Sequence, residues 1–430
     1  MTTVLNDVEV QTTPDRARPL REIRVALLGL GQIGGAIAAM AQTHPDPACR
    51  FSIASALVRD VHRPRALDTS SIALTADPSG AFAASPDIVV EVLGGLEPAR
   101  TLVLAALAAR LPVVTANKSL LAVHGDELFA AANAAGVPLF YEASVLAGVP
   151  FLGTFSRRPL ARRVTGVQGI VNGTSNFVLS RMARDGVDFS TALKSAQRAG
   201  YAEPDPAKDI DGEDAAEKLC VLARLFGDWS VAPSAIERRG IRDLCVEDLR
   251  HAATFGGAIR PVVSASWNGA SVAAYAGPAF VDGANPLSRV DGVQNAVALA
   301  TPSADGLFFS GPGAGPAVTA TAVLDDVIEA ASRPDAARVW RQPRPCVVSG
   351  PAEAAWFVRL TSASLGEQEA AALLTSLGIR LRRVSHVDAR SGRHHQWLLT
   401  HPCTRAHVEA ALDVLAARTG CETWWVPGVE

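Results

Sequence analysis

Lysine is nearly absent from this chain. Of 40 basic residues only Lys118, Lys194, Lys208 and Lys218 carry an ammonium, and the rest are arginine. Arginine serves wherever charge alone matters, so each retained lysine is either a chance survivor or a compact, titratable cation that guanidinium cannot replace. Cysteine is also sparse: Cys49, Cys220, Cys245, Cys346, Cys403 and Cys421 are scattered, with no CxxC pair and no histidines at zinc-finger spacing. That pattern fits a reducing, cytoplasmic home. No apolar run reaches the roughly 20 residues a membrane helix needs, because the longest candidate, 25–40, is broken by glycines and Gln32. Residues 1–20 lack the apolar segment of a secretory signal and read as a mobile tail. The formal charge is only -3, without the basic surplus that marks a nucleic-acid partner. No GxSxG elbow or HExxH motif occurs, and His251, the only histidine between Phe140 and Ala330, has no partner motif. Hydrolase and histidine-driven chemistry therefore have no visible basis, unless His124 contributes to the latter.

What is present is an ordinary globular composition, 48% hydrophobic and 19% charged over 430 residues, enough for two to four domains. The apolar segment Ile23 to Leu30 reads as a strand, followed by GLGQIG (Gly29, Leu30, Gly31, Gln32, Ile33, Gly34) and an alanine-rich helix. In that context the first glycine permits a tight turn, the second lets backbone approach a pyrophosphate, and the third lets helix pack on strand. A second strand, Phe51 to Val58, ends at Arg59, where a fold preferring NAD places an acidic residue. Arginine there suits the 2'-phosphate of NADP, while Asp60 next door leaves NAD open. Two further strands, Asp87 to Leu93 and Pro112 to Thr115, flank the apolar-periodic stretch Ala99 to Ala109. Alternating strand and helix predicts an α/β fold with a parallel, doubly wound sheet of the Rossmann type. Lys118 follows Thr115 at the carboxyl end of one such strand, where these sheets bind ligands.

Later segments add chemistry. Val167 to Asn176, VQGIVNGTSN, reads as a strand, a glycine turn and a helix from Asn176. Gly200 to Lys218 holds seven carboxylates in nineteen residues. Its first half is irregular around Pro204 and Pro206, and from Gly212 it reads as a helix with Asp214 and Lys218 one turn apart. A surface ion pair would be worth only about 0.3 to 0.5 kcal/mol, and arginine would serve it equally well. The scarcity of lysine stands against that surface reading, and lysine and carboxylate are what remain for acid–base chemistry. Ser310 to Ala330 reads as a glycine turn entering an amphipathic helix.

Taken in order, GLGQIG, EVLGG at 91–95, TANK at 115–118, EASVLAGVP at 142–150, NGTSN at 172–176, GYAEPDP and DGEDAAEK resemble homoserine dehydrogenase, which interconverts aspartate 4-semialdehyde and homoserine. The resemblance implies that Lys118 and Lys218 handle the proton at the carbonyl oxygen, with Asp214 orienting Lys218 and touching the substrate. It implies that Glu203 meets the substrate's amino group, with Gly200 close by. For the dinucleotide it implies contacts from Gly94, Lys118 and the last glycine of GPGAG, Gly315. It also implies a monovalent cation, sodium, held mainly by backbone carbonyls of Glu142, Val145, Ala147 and Val149, and a homodimer or homotetramer. Because the dinucleotide fold begins near Ile23, a monofunctional enzyme without an aspartate kinase portion is expected. Two other readings stay open: a dehydrogenase of another small amino-acid aldehyde or alcohol, and a non-catalytic NADP-binding sensor. The intact Lys118, Glu203, Asp214 and Lys218 set argues against the sensor.

The expected domains are a dinucleotide-binding unit at 21–150 with 311–340, an α+β catalytic and dimerisation unit at 151–310, and, after a proline-rich link, a separate unit at 352–430. The last reads βαββαβ, a ferredoxin-like order. It resembles the ACT regulatory domain, although the acidic loop usual after its first strand is replaced by Ser362, Ala363, Ser364, Leu365 and Gly366. An L-threonine-responsive unit and a purely architectural or dimerising tail are both left open.

Overall fold

The computed structural model describes residues 21–43, 49–156, 163–302, 304–332, 341–362, 367–388 and 394–429. The expected mobile tail at 1–20 and loop positions Ala363 to Gly366 lie outside these residues. Six strands form one wholly parallel sheet in the order Ala73–Thr75, Cys49–Leu57, Arg21–Leu28, Ile88–Glu91, Val113–Thr115 and Leu139–Phe140. Numbered by sequence this is 3-2-1-4-5-6, the doubly wound dinucleotide arrangement. The strands are apolar on both faces because both faces are covered. Ile23, Val25 and Leu27 point to helices Gln32–Thr43 and Pro316–Ser332, whereas Ala26 and Leu28 point to helices Ala99–Ala108 and Lys118–Ala135. That alternation is the two-residue period of a strand. Residues 316–332 thereby return to the nucleotide sheet after the chain has built the next layer.

The second sheet has eleven strands, nine of which follow one path: Ala304–Pro312, Gln294–Thr301, Gly166–Ile170, Gly257–Asn268, Ser271–Asp282, Glu422–Val429, Trp356–Ser362, His394–Thr400 and Leu381–Asp388. Its centre is a hairpin of two twelve-residue strands, 257–268 and 271–282, turning at left-handed Gly269. Alternation of polar and apolar residues is weak in this segment, so its strands are not legible in the sequence. Pro261 and Pro278 sit opposite each other in the register, which places both missing N–H donors at one level of the ladder.

The last strands follow the expected βαββαβ order, with helices Glu367–Ser376 and Arg405–Thr419, and pair antiparallel as 4-1-3-2. They are not separate, however. The final strand, Glu422–Val429, pairs parallel with Ser271–Asp282 at Phe280–Gly428 and Val281–Val429, continuing the central sheet into the C-terminal unit. Asp248 of helix Val246–Thr254 clasps the same joint. Fully buried, it accepts from Trp397 Nε1 at 2.8 Å, from the Cys245 N–H at 2.9 Å and from Arg359 at 2.5 Å. Removing one partner of a buried pair leaves an uncompensated charge. Asp248→Ala is expected to lower unfolding stability by about 3 kcal/mol and to make residues 352–429 exchange amide protons faster than the nucleotide sheet, measured by chemical denaturation and hydrogen exchange.

Candidate active site

The switch point of the parallel sheet lies between the carboxyl ends of Arg21–Leu28 and Ile88–Glu91, and two glycine loops leave it. Gly29 is left-handed at φ +105°, and a Cβ on Gly34 would meet the Gly29 carbonyl at 2.1 Å, so the turn admits no side chain there. By contrast, Cβ atoms added at Gly31, Gly94, Gly95 and Gly315 would meet nothing within 4 Å. Gly31 and Gly315 directly precede helices Gln32–Thr43 and Pro316–Ser332, so theirs is open backbone at a helix N-terminus, the donor set a pyrophosphate uses. Leu30 and Ile33 are partly buried and pack against the core beneath. Gln32 opens the helix, and exposed Arg59 follows strand Cys49–Leu57, whose last carbonyl holds the Gly29 N–H at 3.1 Å. Neighbouring Asp60 accepts from the His62 N–H at 2.8 Å.

On the same edge, Asn117 caps helix Lys118–Ala135 by accepting from the Leu120 N–H, which presents Lys118 at the helix start. Helix Glu213–Gly227 begins behind left-handed Gly212 and brings Asp214 and Lys218 onto one face. The three residues form a single constellation. Asp214 Oδ1 lies 3.0 Å from Lys118 Nζ, and Oδ2 lies 2.9 Å from Lys218 Nζ. Lys218 also donates to the Val171 carbonyl at 2.7 Å. With side chains 8% exposed for Asp214 and 12% for Lys218, this is no surface pair.

Sequence reasoning missed the residue that organises this cluster. Asn172 donates through one Nδ2 to both Asp214 Oδ2 and Asp209 Oδ1, each at 2.8 Å, while its Oδ1 accepts from the Ser175 N–H. That cap starts the helix at Gly173 rather than at Asn176 as expected, because a capping side chain defines the first turn from three residues upstream. The Asn-x-x-Ser spacing was the available signal. Ser119 and Glu217 were missed as well, and their side chains meet at 2.7 Å. Left-handed Gly200 turns the chain into the loop that carries Glu203, whose carboxylate is exposed. Thr174 Oγ1 donates to the Tyr201 carbonyl at 2.6 Å and ties that loop to the Asn172 corner.

Glu142 is buried, its carboxylate accepting from the Leu152 and Gly153 N–H groups and its own N–H donating to Asp326. Among the described residues, the carbonyls of Val145, Ala147 and Val149 accept no backbone hydrogen bond outside regular elements. Backbone carbonyls on one loop are hard oxygen ligands. His124 Nδ1 lies 3.8 Å from Glu127 Oε2.

Residues 150–328 match the family model described as homoserine dehydrogenase, and residues 29–142 match the homoserine dehydrogenase NAD-binding domain. A homoserine dehydrogenase of Bacillus subtilis is 35% identical over 315 residues, 72% of this chain and 73% of the relative. One of Synechocystis is 37% identical, covering 71% of this chain and 72% of its own length. This chain belongs to the homoserine dehydrogenase family. Its fold agrees with the crystal structure of a homoserine dehydrogenase from Thiobacillus denitrificans at a TM-score of 0.85, 32% identity and coverage of 96% of this chain and 99% of that one. A hyperthermophilic archaeal homoserine dehydrogenase in complex with NADPH aligns at a TM-score of 0.60 and 26% identity, over 75% of this chain and all of that one.

The electrostatics of this family member follow from burial against charge. Burial pushes the Asp214 carboxyl up, but the Lys218 and Lys118 ammoniums and Asn172 outweigh it and hold the group below the usual carboxylate range. Burial pulls Lys118 down, yet Asp214, Glu217 and Asp209 raise it overall. Burial dominates at Asp209, whose carboxyl is raised. A depressed carboxylate stabilises the fold above its unfolded pKa, roughly 4, and loses that stabilisation as pH falls through its folded value. A raised lysine stabilises fully below its unfolded pKa, roughly 10.4, and ceases to do so as pH rises through its folded value. Asp214→Asn, which removes both effects, is therefore expected to lose about 3 kcal/mol throughout the window from pH 5 to 10, with the difference from wild type shrinking at both extremes, as read from denaturant unfolding across pH.

Proposed function

We propose that this chain interconverts L-aspartate 4-semialdehyde and L-homoserine using a nicotinamide dinucleotide, with NADP preferred, and that Lys218 and Lys118 manage the proton. The observation that carries this reading is one buried carboxylate holding two ammoniums, on the edge of a dinucleotide sheet whose glycine loops stand open. The bound dinucleotide supplies the hydride. Reduction of an aldehyde develops negative charge on oxygen, and a fixed ammonium both stabilises and protonates that oxygen. Lys218 has three N–H donors, of which Val171 and Asp214 take two, so one stays available to a substrate. Asp214 holds both lysines in place through its two oxygens and raises Lys118, so the donors are aimed before substrate arrives.

In this reading Glu203, on its exposed loop beside Gly200, meets the substrate's amino group, and Asp214 completes the polar end of the pocket. Gly29, Gly31, Gly34, Gly94 and Gly315 line the dinucleotide path. The carbonyls of Val145, Ala147 and Val149, beside Glu142, would hold a sodium ion, whose charge would stiffen the segment joining the nucleotide sheet to the catalytic layer. Arg59 favours NADP, since guanidinium recognises a phosphate through parallel hydrogen bonds. Exposed Phe308 beside a cavity of about 1150 Å3 on the open sheet face supports a homodimer or homotetramer. The 4-1-3-2 sheet of the C-terminal unit supports the ACT-like assignment.

The direct experiment is oxidation of L-homoserine followed at 340 nm with NADP and with NAD. Lys218→Ala is expected to fold, retain NADPH binding and lose at least roughly a hundredfold in kcat. A folded wild type that binds NADPH and leaves homoserine untouched would refute the substrate assignment. Arg59→Ala is expected to raise KM for NADP roughly tenfold while leaving KM for NAD within twofold, and equal effects on both dinucleotides would remove Arg59 from the recognition of phosphate.

A further inference from the structure

Glu91 ends the strand Ile88–Glu91 at the switch point, is 0% exposed, and has no place in the proton transfer above. A buried carboxyl must have its oxygens met by donors or a cation. Four donors converge here, none from a lysine or arginine. The Thr115 hydroxyl lies 2.5 Å from Oε2, the Leu93 N–H 2.8 Å and Asn117 Nδ2 3.3 Å from Oε1, and the Gly94 N–H also donates. Burial pushes the carboxyl up against the pull of these bonds.

The partners are themselves linked. Thr115 Oγ1 accepts from the Asn117 N–H at 3.0 Å, Asn117 Nδ2 donates to the Gly95 carbonyl at 2.7 Å, and Asn117 Oδ1 accepts from the Leu120 N–H in the first turn of the Lys118 helix. One side chain therefore ties two structures. On one side is the loop of left-handed Gly94 and Gly95, whose Cβ positions face open space; on the other is the helix start that presents Lys118 to Asp214. Asn117 is pinned at both ends of its amide, so it cannot turn over to compensate for a changed partner.

We propose that Glu91 is a positioning residue that couples dinucleotide binding at the Leu93–Gly95 loop to the placement of Lys118. Its lysine half rests on the proton-transfer reading given above, and its dinucleotide half does not. The test uses the full chain with Glu91→Ala, Glu91→Gln and Thr115→Val. NADPH affinity is measured by fluorescence titration without substrate, then kcat and KM for homoserine are measured across pH. Glu91→Ala is expected to weaken NADPH binding roughly tenfold, the worth of one good hydrogen bond to a buried charged or polar group, and to lower kcat more than it raises KM for homoserine.

Glu91→Gln retains the Oε1 acceptor and can donate from its amide to Thr115 Oγ1, so it is expected to fold and recover most of the NADPH affinity. Thr115→Val removes the hydroxyl that joins Glu91 Oε2 to the Asn117 N–H at the helix start, and leaves the Leu93 N–H on the loop side and the Asn117 amide bonded to Oε1. It is expected to move the lysine-dependent limb of the kcat profile while changing NADPH affinity less than Glu91→Ala does, and it keeps the test open should Glu91→Ala fail to fold. Folded variants with wild-type NADPH affinity and an unmoved pH profile, differing only in Tm, would overturn the proposal. Because NADPH binding is read without homoserine, failure of the homoserine assignment would show separately as inactivity of the wild type.

Discussion

Everything at this site depends on one carboxylate shared between two ammoniums. Asp214 is buried, and its burial is tolerable because each oxygen faces a lysine and Oδ2 also accepts from Asn172. Remove the carboxylate and two cations are left facing each other in a poorly solvated space. The three elements that meet here, helices 118–135 and 213–227 and the corner at 171–175, come from different layers of the molecule. The charge triad, the chemical centre in the proposed reading, is also a clamp between the parallel sheet and the layer that follows it.

Around that clamp the structure uses short polar side chains to fix backbone. Asn117 and Asn172 perform the same service at two helix starts, each capping with Oδ1 and donating from Nδ2 to the acids of the site. A capped helix begins at a defined residue, so the lysine or hydrogen-bond donor that follows has a defined position. Asp248 does the equivalent at the far joint, where helix, strand and C-terminal sheet converge on one buried carboxylate. Because the final strand extends the central sheet, the C-terminal unit shares hydrogen bonds with the hairpin at 257–282 and is not a loosely tethered appendage.

The scarcity of lysine was the most informative compositional feature. Lys118 and Lys218 belong to the cluster, whereas exposed Lys208 only pairs with Glu213 at 3.3 Å, so scarcity marks candidates and does not rank them. The glycine fingerprint, the parallel order of the first sheet and the βαββαβ succession were all legible, since each is written in local spacing or in apolar periodicity. The hairpin at 257–282 was not, because its strands are rich in alanine, glycine and proline and show no clean alternation.

Sequence by itself determined the strand–turn–helix dinucleotide unit, the i and i+4 placement of Asp214 and Lys218, and the family resemblance carried by the ordered motifs. These are local properties, set within one helical turn or one tight loop. Only the tertiary structure decided that Lys118 faces Asp214, that Asn172 shares its amide between acids 37 and 42 residues away, and that Trp397 and Asp248 meet across 149 residues. Contacts at such separations depend on how sheets and helices pack, and apolar burial, the dominant favourable contribution to folding, sets that packing against the chain entropy lost.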